Sequence, residues 1–283
     1  MSAINANTSI YAVFGDPIGH SLSPVMHNAA FKALQLDCVY VAFQISPATL
    51  ADAVRGIRAL GIKGVNITIP HKQAIIRELD QVFGDSVQSG SVNTIINRNG
   101  KLLGTSTDGT GLIRSLREDG NFDPEGKRVL LLGAGGSAQA VIYSLIKAGI
   151  ASLTVVNRDF KKVIALQEKV RKDNRFSLTA RELSQLGNLD FSRFDLVINT
   201  TSVGLREERS LIPPANLHPG LFVYDLVYRP GGTRLSIEAA AAGCRVLTGL
   251  SLLLFQGAES FRLWFETEPP LAAMRQALEF AQK

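Results

Sequence analysis

The chain has 283 residues, 46% of them hydrophobic, which is enough for about two domains with cores of their own and excludes a small stapled scaffold. Its two cysteines, Cys38 and Cys244, lie far apart and in no metal-ligand spacing, so the expected setting is a reducing cytoplasm and no metal site is expected. The net charge is +5, but Lys and Arg form no block of five or six; this argues against nucleic acid and leaves a solvated surface or attraction of small anionic ligands.

No apolar run reaches the length that spans a bilayer, so no membrane partner is expected. Residues 1–9 lack both the basic start and the apolar core of a signal peptide. Strand-like and helix-like runs alternate, which predicts an α/β fold with mostly parallel sheets. Residues 10–14 read as a strand, followed by a helix over about 24–35 with Pro24 in its first turn. Residues 39–45 read as a second strand. Ser46 then caps a helix that has Pro47 at its first position, runs to about Leu60 and stops at Gly61. Residues 64–68 form a third strand. Segments 92–96 and 101–103 flank Asn97-Arg98-Asn99-Gly100, a hairpin signal. The polar stretch 121–126 reads as a seam between domains. Strand 128–132 then leads through a glycine-rich turn into a helix ending near Ala148. Strand 152–156 and a helix over about 160–171 follow. Later strands are expected at 196–199, 221–225 and 245–247, with helices over 250–265 and 270–281.

Residues 133–138 read Gly-Ala-Gly-Gly-Ser-Ala, which fits G-x-G-x-x-[GA] between an apolar strand and a helix. Gly133 permits the sharp turn, Gly135 lets backbone approach a pyrophosphate, and Ala138 lets helix and strand pack closely. The helix N-terminus then presents free N–H groups and a positive dipole end to phosphate. The segment from Arg128 to Arg158 is thus the nucleotide-binding unit of a Rossmann domain and points to an NAD(P)-dependent oxidoreductase. At the end of the second strand stand Asn157 and Arg158, where an NAD enzyme usually carries Asp or Glu. Arginine suits a 2′-phosphate, and Lys161 and Lys162 lie one turn on. NADP is the expected cofactor. Asp159 is the dissenting residue and keeps NAD as the weaker alternative.

The first half carries further motifs. Residues 15–28 read Gly-Asp-Pro-Ile-Gly-His-Ser-Leu-Ser-Pro-Val-Met-His-Asn, with two serines entering a helix. Such hydroxyls and free N–H groups suit a small carboxylate or polyol, although Ser23 is equally placed to cap the helix before Pro24. Residues 64–72 read Gly-Val-Asn-Ile-Thr-Ile-Pro-His-Lys, with Asn66 and Thr68 on one face of a strand and Val65, Ile67 and Ile69 on the other. Residues 91–94, Ser-Val-Asn-Thr, and 107–111, Thr-Asp-Gly-Thr-Gly, add an amide and a carboxylate.

With these motifs in this order, and with residues 199–204, 224–228 and the stretch from Gly249 to Gln256, the chain resembles the shikimate dehydrogenase family over nearly its whole length. The resemblance implies reversible NADPH-dependent reduction of 3-dehydroshikimate to shikimate, on the route to chorismate and the aromatic amino acids. It implies an α/β substrate-binding domain over residues 1–107, a Rossmann NADP-binding domain over 108–249, and C-terminal helices, 250–283, packing back on the first domain. The implied catalytic pair is Lys72 and Asp108. The implied substrate groups are Ser21, Ser23, Asn66, Thr68, Asn93, Tyr228 and Gln256. The implied cofactor contacts are Gly133, Ala134, Gly135, Gly136, Ser137 and Ala138, then Asn157, Arg158, Asp159 and Lys162, then Thr200, Thr201, Ser202 and Val203, with Leu226 and Gly249. Departures from the family pattern fall at Ser106, Asp159, Leu205 and Leu226.

Reducing a ketone puts negative charge on its oxygen, so Lys72 either donates the proton or stabilises the developing alkoxide. Asp108 reads as both its partner and the cap before Gly109. His20, His27 and His71 flank the motifs and are given structural roles, because the family motif puts the chemistry on Lys72. Two alternatives stand beside this reading. One is a quinate/shikimate dehydrogenase of broader substrate and cofactor use. The other is a non-catalytic shikimate-binding regulator. A monomer or homodimer is expected.

Overall fold

The computed structural model describes residues 4–174 and 176–282. Residues 1–3 of the stretch 1–9, and the outermost ends of the ranges 1–107 and 250–283, lie outside the described residues. The chain divides into two compact units, residues 1–111 with 253–283, and residues 112–252. The polar stretch 121–126 is therefore no seam. It lies inside the second unit, where Phe122 packs on Phe222 with ring centroids 4.8 Å apart.

The first unit opens with β1 (Ser9–Gly15), α1 (Ser23–Ala33), β2 (Cys38–Gln44), α2 (Leu50–Ala59) and β3 (Gly64–Ile67). It continues through β4 (Gln81–Val82), the single turn α3 (Ser86–Ser89), β5 (Thr94–Arg98), β6 (Lys101–Thr105) and the start of α4 (Asp108–Glu118). Among the described residues its sheet runs β2-β1-β3-β5-β6-β4. β1 pairs in parallel with β2 and β3, and the β5–β6 hairpin joins β3 antiparallel. The hairpin turns at Asn99 and Gly100 with φ of 54° and 88°, the paired positive values of a type I′ turn. α2 ends as its sequence dictates: Gly61 takes φ 66°, and the amides of Gly61 and Ile62 close back on Arg58 and Ile57.

Ser46 does stand ahead of Pro47, but a 3₁₀ turn, Pro47–Thr49, intervenes before α2. The Ser46 hydroxyl meets Thr49 Oγ1 at 3.0 Å and caps nothing. Ser23 is not the cap of α1 either. It is the first helical residue, and its N–H is accepted by the hydroxyl of Ser21 at 3.3 Å. Short β4 and α3 have no counterpart in the expected elements, and α4 is expected only through the cap at Asp108, which is instead its first residue.

The second unit contains the rest of α4, then β7 (Arg128–Leu132), α5 (Gly136–Lys147), β8 (Ser152–Asn157), α6 (Phe160–Asn174) and β9 (Thr179–Glu182). β10 (Leu196–Asn199), β11 (Phe222–Asp225), α7 (Arg234–Ala241), β12 (Arg245–Thr248) and the start of α8 (Gly249–Phe265) complete it. The sheet is parallel throughout in the order β12-β11-β10-β7-β8-β9. That is the doubly wound dinucleotide-binding order, with its switch point between β7 and β10. Alternate residues of each strand feed opposite faces. Val129, Leu131 and Val155 join α5 and α6 in one core, while Leu130, Leu132 and Val156 join Leu186, Leu217 and Leu235 in the other. The remainder of α8, together with α9 (Leu271–Ala281), belongs to the first unit, where α9 packs against α1. Among the described residues no helix is long and apolar enough to cross a membrane.

An aromatic cluster joins α8 to the sheet of the first unit. Tyr11 lies 5.1 Å from the rings of both Trp264 and Phe265, and the Trp264 Nε1–H donates to the Ile95 carbonyl at 3.0 Å. A Cβ at Gly64 would land on the Trp264 indole. Gly64→Ala therefore costs about 2 kcal/mol of unfolding free energy through overpacking, measured as a lower urea midpoint at unchanged m-value.

His27 is fully buried in the same region, stacked on Tyr40 at 4.5 Å, and burial lowers its pKa from 6.5 to about 3. Below pH 6.5 the unfolded chain takes up a proton at this residue that the folded chain refuses, so stability falls as pH drops from there toward 3. The slope is about 1.4 kcal/mol per pH unit. Urea titrations at pH 7, 6, 5 and 4 should show the wild type losing stability relative to His27→Gln by that increment; parallel curves for the two proteins would contradict it.

Candidate active site

The topology of the first unit gathers the chemistry-bearing loops at one end of its sheet. β1 and β3 run parallel and side by side, so the loops after Gly15 and Ile67 emerge together. Backbone bonds lace them: Asp16 N–H donates to Ile69 O at 2.9 Å and Thr68 N–H to Phe14 O at 2.9 Å. A side chain at Gly15 would collide with Thr68 and Ile18. β5 runs the other way, so its first residues meet the end of β3, and Ile67 N–H donates to Asn93 O at 2.8 Å. β6 returns beside β5 and delivers Thr107 and Asp108 to the same end.

There Lys72 Nζ donates to Asp108 Oδ2 at 2.6 Å, the two side chains being 12% and 5% exposed. Lys72 lies in a turn outside any helix, and its carbonyl accepts from Val92 N–H at 2.8 Å, which ties it to the entry of β5. Asp108 is the first residue of α4, where free N–H groups and the helix dipole favour its negative charge. Its other oxygen accepts from Asn93 Nδ2 at 2.8 Å. The same Asn93 nitrogen donates to Gln256 Oε1 at 3.1 Å and to Thr107 Oγ1 at 3.0 Å. Asn93 Oδ1 accepts from Thr107 N–H at 2.8 Å and from the Thr94 hydroxyl at 2.9 Å. Gly111 is required here, because a Cβ would strike the backbone of Gln256 on α8.

Lys72, Asp108, Asn93 and Gln256 thus share one hydrogen-bonded cluster. Asn66 joins it at one remove, its Nδ2 donating to Asn93 O at 3.1 Å and to Ser260 Oγ at 2.9 Å. Ser23 is buried and Ser21 and Thr68 are half-buried in the adjoining loops. Ile69, expected on the apolar face of β3, is 59% exposed, because the strand ends at Ile67. His20 is exposed, and His71 is buried with Nε2 2.6 Å from the Ile45 carbonyl. Thr94, Thr107 and Ser260 were given no role from sequence. Thr94 and Thr107 lie inside quoted motifs. Ser260 has no local signal at all, since it reaches the cluster only through the packing of α8.

Tyr228 belongs to the second unit, with the glycine turn. Gly133 follows β7 with φ 115°, and a Cβ there would run into the side chain of Thr200, which follows the adjacent β10. Thr200 N–H and hydroxyl both donate to Leu132 O, at 2.8 and 2.7 Å. Gly135 precedes α5 in extended conformation and no side chain caps the helix, so the backbone N–H groups of Gly136, Ser137 and Ala138 open its first turn. Ala134 and Ala138 are buried. At the end of β8, Arg158 is exposed, while Asp159 Oδ2 lies 3.8 Å from Lys162 Nζ. Thr201 N–H and hydroxyl donate to Asn199 Oδ1 at 3.1 and 2.7 Å, and Val203 N–H donates to Thr201 Oγ1 at 3.2 Å. Ser202 closes a turn with Leu205. Leu226 N–H donates to Asn199 O at 3.0 Å, and Gly249 packs so tightly on Leu226 O that no side chain fits.

Asp225, another residue given no role from sequence, is the hub of these loops. Its carboxylate accepts from Asn199 Nδ2 at 2.9 Å, Val227 N–H at 3.2 Å and the Thr233 hydroxyl at 2.5 Å. Burial raises its pKa, and those three donors pull it back. Among the described residues no group of three or more His, Cys, Asp or Glu could hold a metal ion.

Residues 13–95 match the shikimate dehydrogenase substrate binding domain. Residues 117–206 match shikimate / quinate 5-dehydrogenase, and residues 249–279 the shikimate 5′-dehydrogenase C-terminal domain. The chain is 44% identical to the shikimate dehydrogenase (NADP(+)) of Moorella thermoacetica, over 99% of this chain and 96% of that protein. Its fold superposes on a crystal structure of a shikimate dehydrogenase in complex with NADP+ with a TM-score of 0.91, at 34% identity, covering 99% of this chain and 98% of the other. The Thermus thermophilus enzyme, in complex with NADP(H) and shikimate, gives 0.85 at 34% identity, covering 96% and 99%. The chain belongs to the shikimate dehydrogenase family.

Proposed function

We propose that this chain interconverts shikimate and 3-dehydroshikimate with NADP(H), on the route to chorismate and the aromatic amino acids. The observation that carries the reading is the closed cluster of Lys72, Asp108, Asn93 and Gln256, in a chain 44% identical to a relative named for this activity. The first unit takes the hydroxy acid through Ser21, Ser23, Asn66, Thr68, Asn93 and Gln256. The second unit takes NADP.

The groups of the second unit fit a dinucleotide. The uncapped start of α5 and the side-chain-free approach at Gly133 suit a pyrophosphate, and exposed Arg158 suits a 2′-phosphate. When bound, the nicotinamide gives or takes the hydride. The protein moves the proton. In reduction, Lys72 Nζ donates to the carbonyl oxygen as it becomes the hydroxyl, and in oxidation Nζ takes that proton back. Asp108 fixes the ammonium at 2.6 Å and Asn93 fixes Asp108, so neither group must reorganise during reaction. The two cysteines are free, which suits a reducing compartment; we place the enzyme in the cytoplasm as a monomer or homodimer.

The deciding experiment is a matrix of kcat/KM values for shikimate and quinate with NADP and NAD, in which shikimate with NADP should lead. Turnover of quinate as fast as shikimate would sink the substrate assignment, and tight binding of shikimate without turnover would sink catalysis. Lys72→Ala should lower kcat about a thousandfold with little change in the KM for shikimate, the loss expected of a general acid. Near-normal kcat would remove Lys72 from the chemistry. Arg158→Ala should raise the KM for NADP at least about tenfold and leave that for NAD unchanged, since only the former offers a charged oxygen array to the guanidinium. Equal losses for both cofactors would refute the 2′-phosphate contact.

A further inference from the structure

Tyr40, on the edge strand β2, has no part in the reading above. We propose that Tyr40 is a positioning residue for the reaction: its hydroxyl orients Asn66 for the substrate, and His27 and Asn28 of α1 form its seat. The inference rests on the proposed function, because it acts through Asn66, one of the groups assigned there to the hydroxy acid.

The direction of each hydrogen bond follows from chemistry. One end of the Asn66 amide lies 3.1 Å from the Asn93 carbonyl, which can only accept, so that end is the nitrogen. It also reaches Thr94 Oγ1 at 3.2 Å and Ser260 Oγ at 2.9 Å. Asn66 Oδ1 therefore faces Tyr40, whose hydroxyl lies 2.7 Å away and must donate. One buried hydroxyl thus sets the amide orientation of an asparagine on β3. The array continues in the same sense, from Thr94 to Asn93 Oδ1 and from Asn93 Nδ2 to Asp108.

The seat is built for the ring and the backbone separately. Tyr40 N–H donates to Asn28 Oδ1 and Asn28 Nδ2 donates to Tyr40 O, both at 2.9 Å. Among the described residues β2 pairs only with β1 in the sheet, so the Asn28 amide does the work of a neighbouring strand at that one residue. The ring lies against the imidazole of His27 at 4.5 Å and 13°. Neither His27 nitrogen has a hydrogen-bond partner among the described residues, and burial keeps the ring neutral. His27 thus serves as a flat packing surface. The last two residues of the 15–28 motif, which substrate contact does not explain, both act on Tyr40.

Tyr40→Phe keeps the stacked ring and removes only the oxygen, leaving Asn66 Oδ1 buried without a donor. The expected result is a rise of about tenfold in the KM for shikimate, with kcat within about twofold and the KM for NADP unchanged. A merely structural role would instead lower the melting temperature and the active fraction, and with it the apparent kcat, at constant KM. Asn28→Ala retains the hydroxyl but loosens its seat, and should raise the same KM by a smaller factor. An unchanged KM for shikimate in folded Tyr40→Phe overturns the proposal, and if that variant does not fold, an unchanged KM in Asn28→Ala does so. Wild-type protein with no turnover of shikimate would bring down the functional reading, and this inference with it. Wild-type turnover with unaltered variants brings down this inference alone.

Discussion

A buried ammonium–carboxylate pair is costly unless its remaining lone pairs and protons find partners, and the Lys72–Asp108 pair imposes that demand on the whole polar interior of the first unit. Asp108 meets it through its place at the start of α4 and through Asn93. Asn93 can serve only if its amide is held the right way round, which Thr107 and Thr94 ensure by donating to its oxygen. The register pairs Thr94 with Thr105 across the β5–β6 hairpin, and Thr107, two residues past the end of β6, comes within 3.4 Å of the Thr94 hydroxyl. The register in turn is set at the far end by the tight turn at Asn99 and Gly100. A slip of one residue would turn every side chain of one strand to the other face of the sheet and take Thr107 from Asn93. The geometry around Lys72 and Asp108 therefore depends on a turn at the opposite end of the hairpin.

The second unit solves a related problem with the same pair of residue types. Asp225 is buried without a cation and is kept soluble in the interior by three donors. One donor is the amide of Asn199, at the end of the neighbouring strand, whose oxygen then holds Thr201. In both units an asparagine amide faces a carboxylate with its nitrogen and a loop with its oxygen. The amide is suited to this because its two ends differ: reversing it would set oxygen against carboxylate. Each arrangement converts a costly buried charge into a fixed loop conformation. In the first unit that loop carries Asp108, and in the second it carries the residues proposed to line the cofactor.

What local pattern revealed, and what it did not, divides along chain distance. The parallel sheet of the second unit, the glycine turn at Gly133 and the hairpin at Asn99 and Gly100 each depend on residues within a few positions of one another, and all were legible. Lys72 and Asp108, paired in the sequence reading through the family resemblance that their motifs carry, do meet in the fold. Caps were read poorly, because Ser46 and Ser23 have the right chemistry for a cap but lie beside other hydroxyls, Thr49 and Ser21, that change which group is used. The stretch 121–126 has a linker's composition, yet Phe122 within it finds Phe222, which only the fold brings near. Tyr40 and Ser260 were silent for the same reason. On a strand and a helix of apolar pattern they look like core residues, and their hydroxyls acquire meaning only when Asn66 arrives from β3.

The cofactor end shows how structure weighs a residue that sequence leaves ambiguous. Asp159 follows Arg158 and, read along the chain, could repel a phosphate or receive a ribose hydroxyl. In the fold its carboxylate turns toward Lys162, one turn along α6, in an exposed pair whose strength is small but whose direction is definite. A second acid, Glu182, is brought beside Asn157 by the pairing of β8 with β9, and its carboxylate is taken by the hydroxyl of Ser184. Both nearby negative charges thus have local partners, while Arg158 stays exposed at the strand end. In the cofactor reading proposed above, Arg158 and Lys161, both exposed, would set the potential at a 2′-phosphate more than the acids that the sequence places among them.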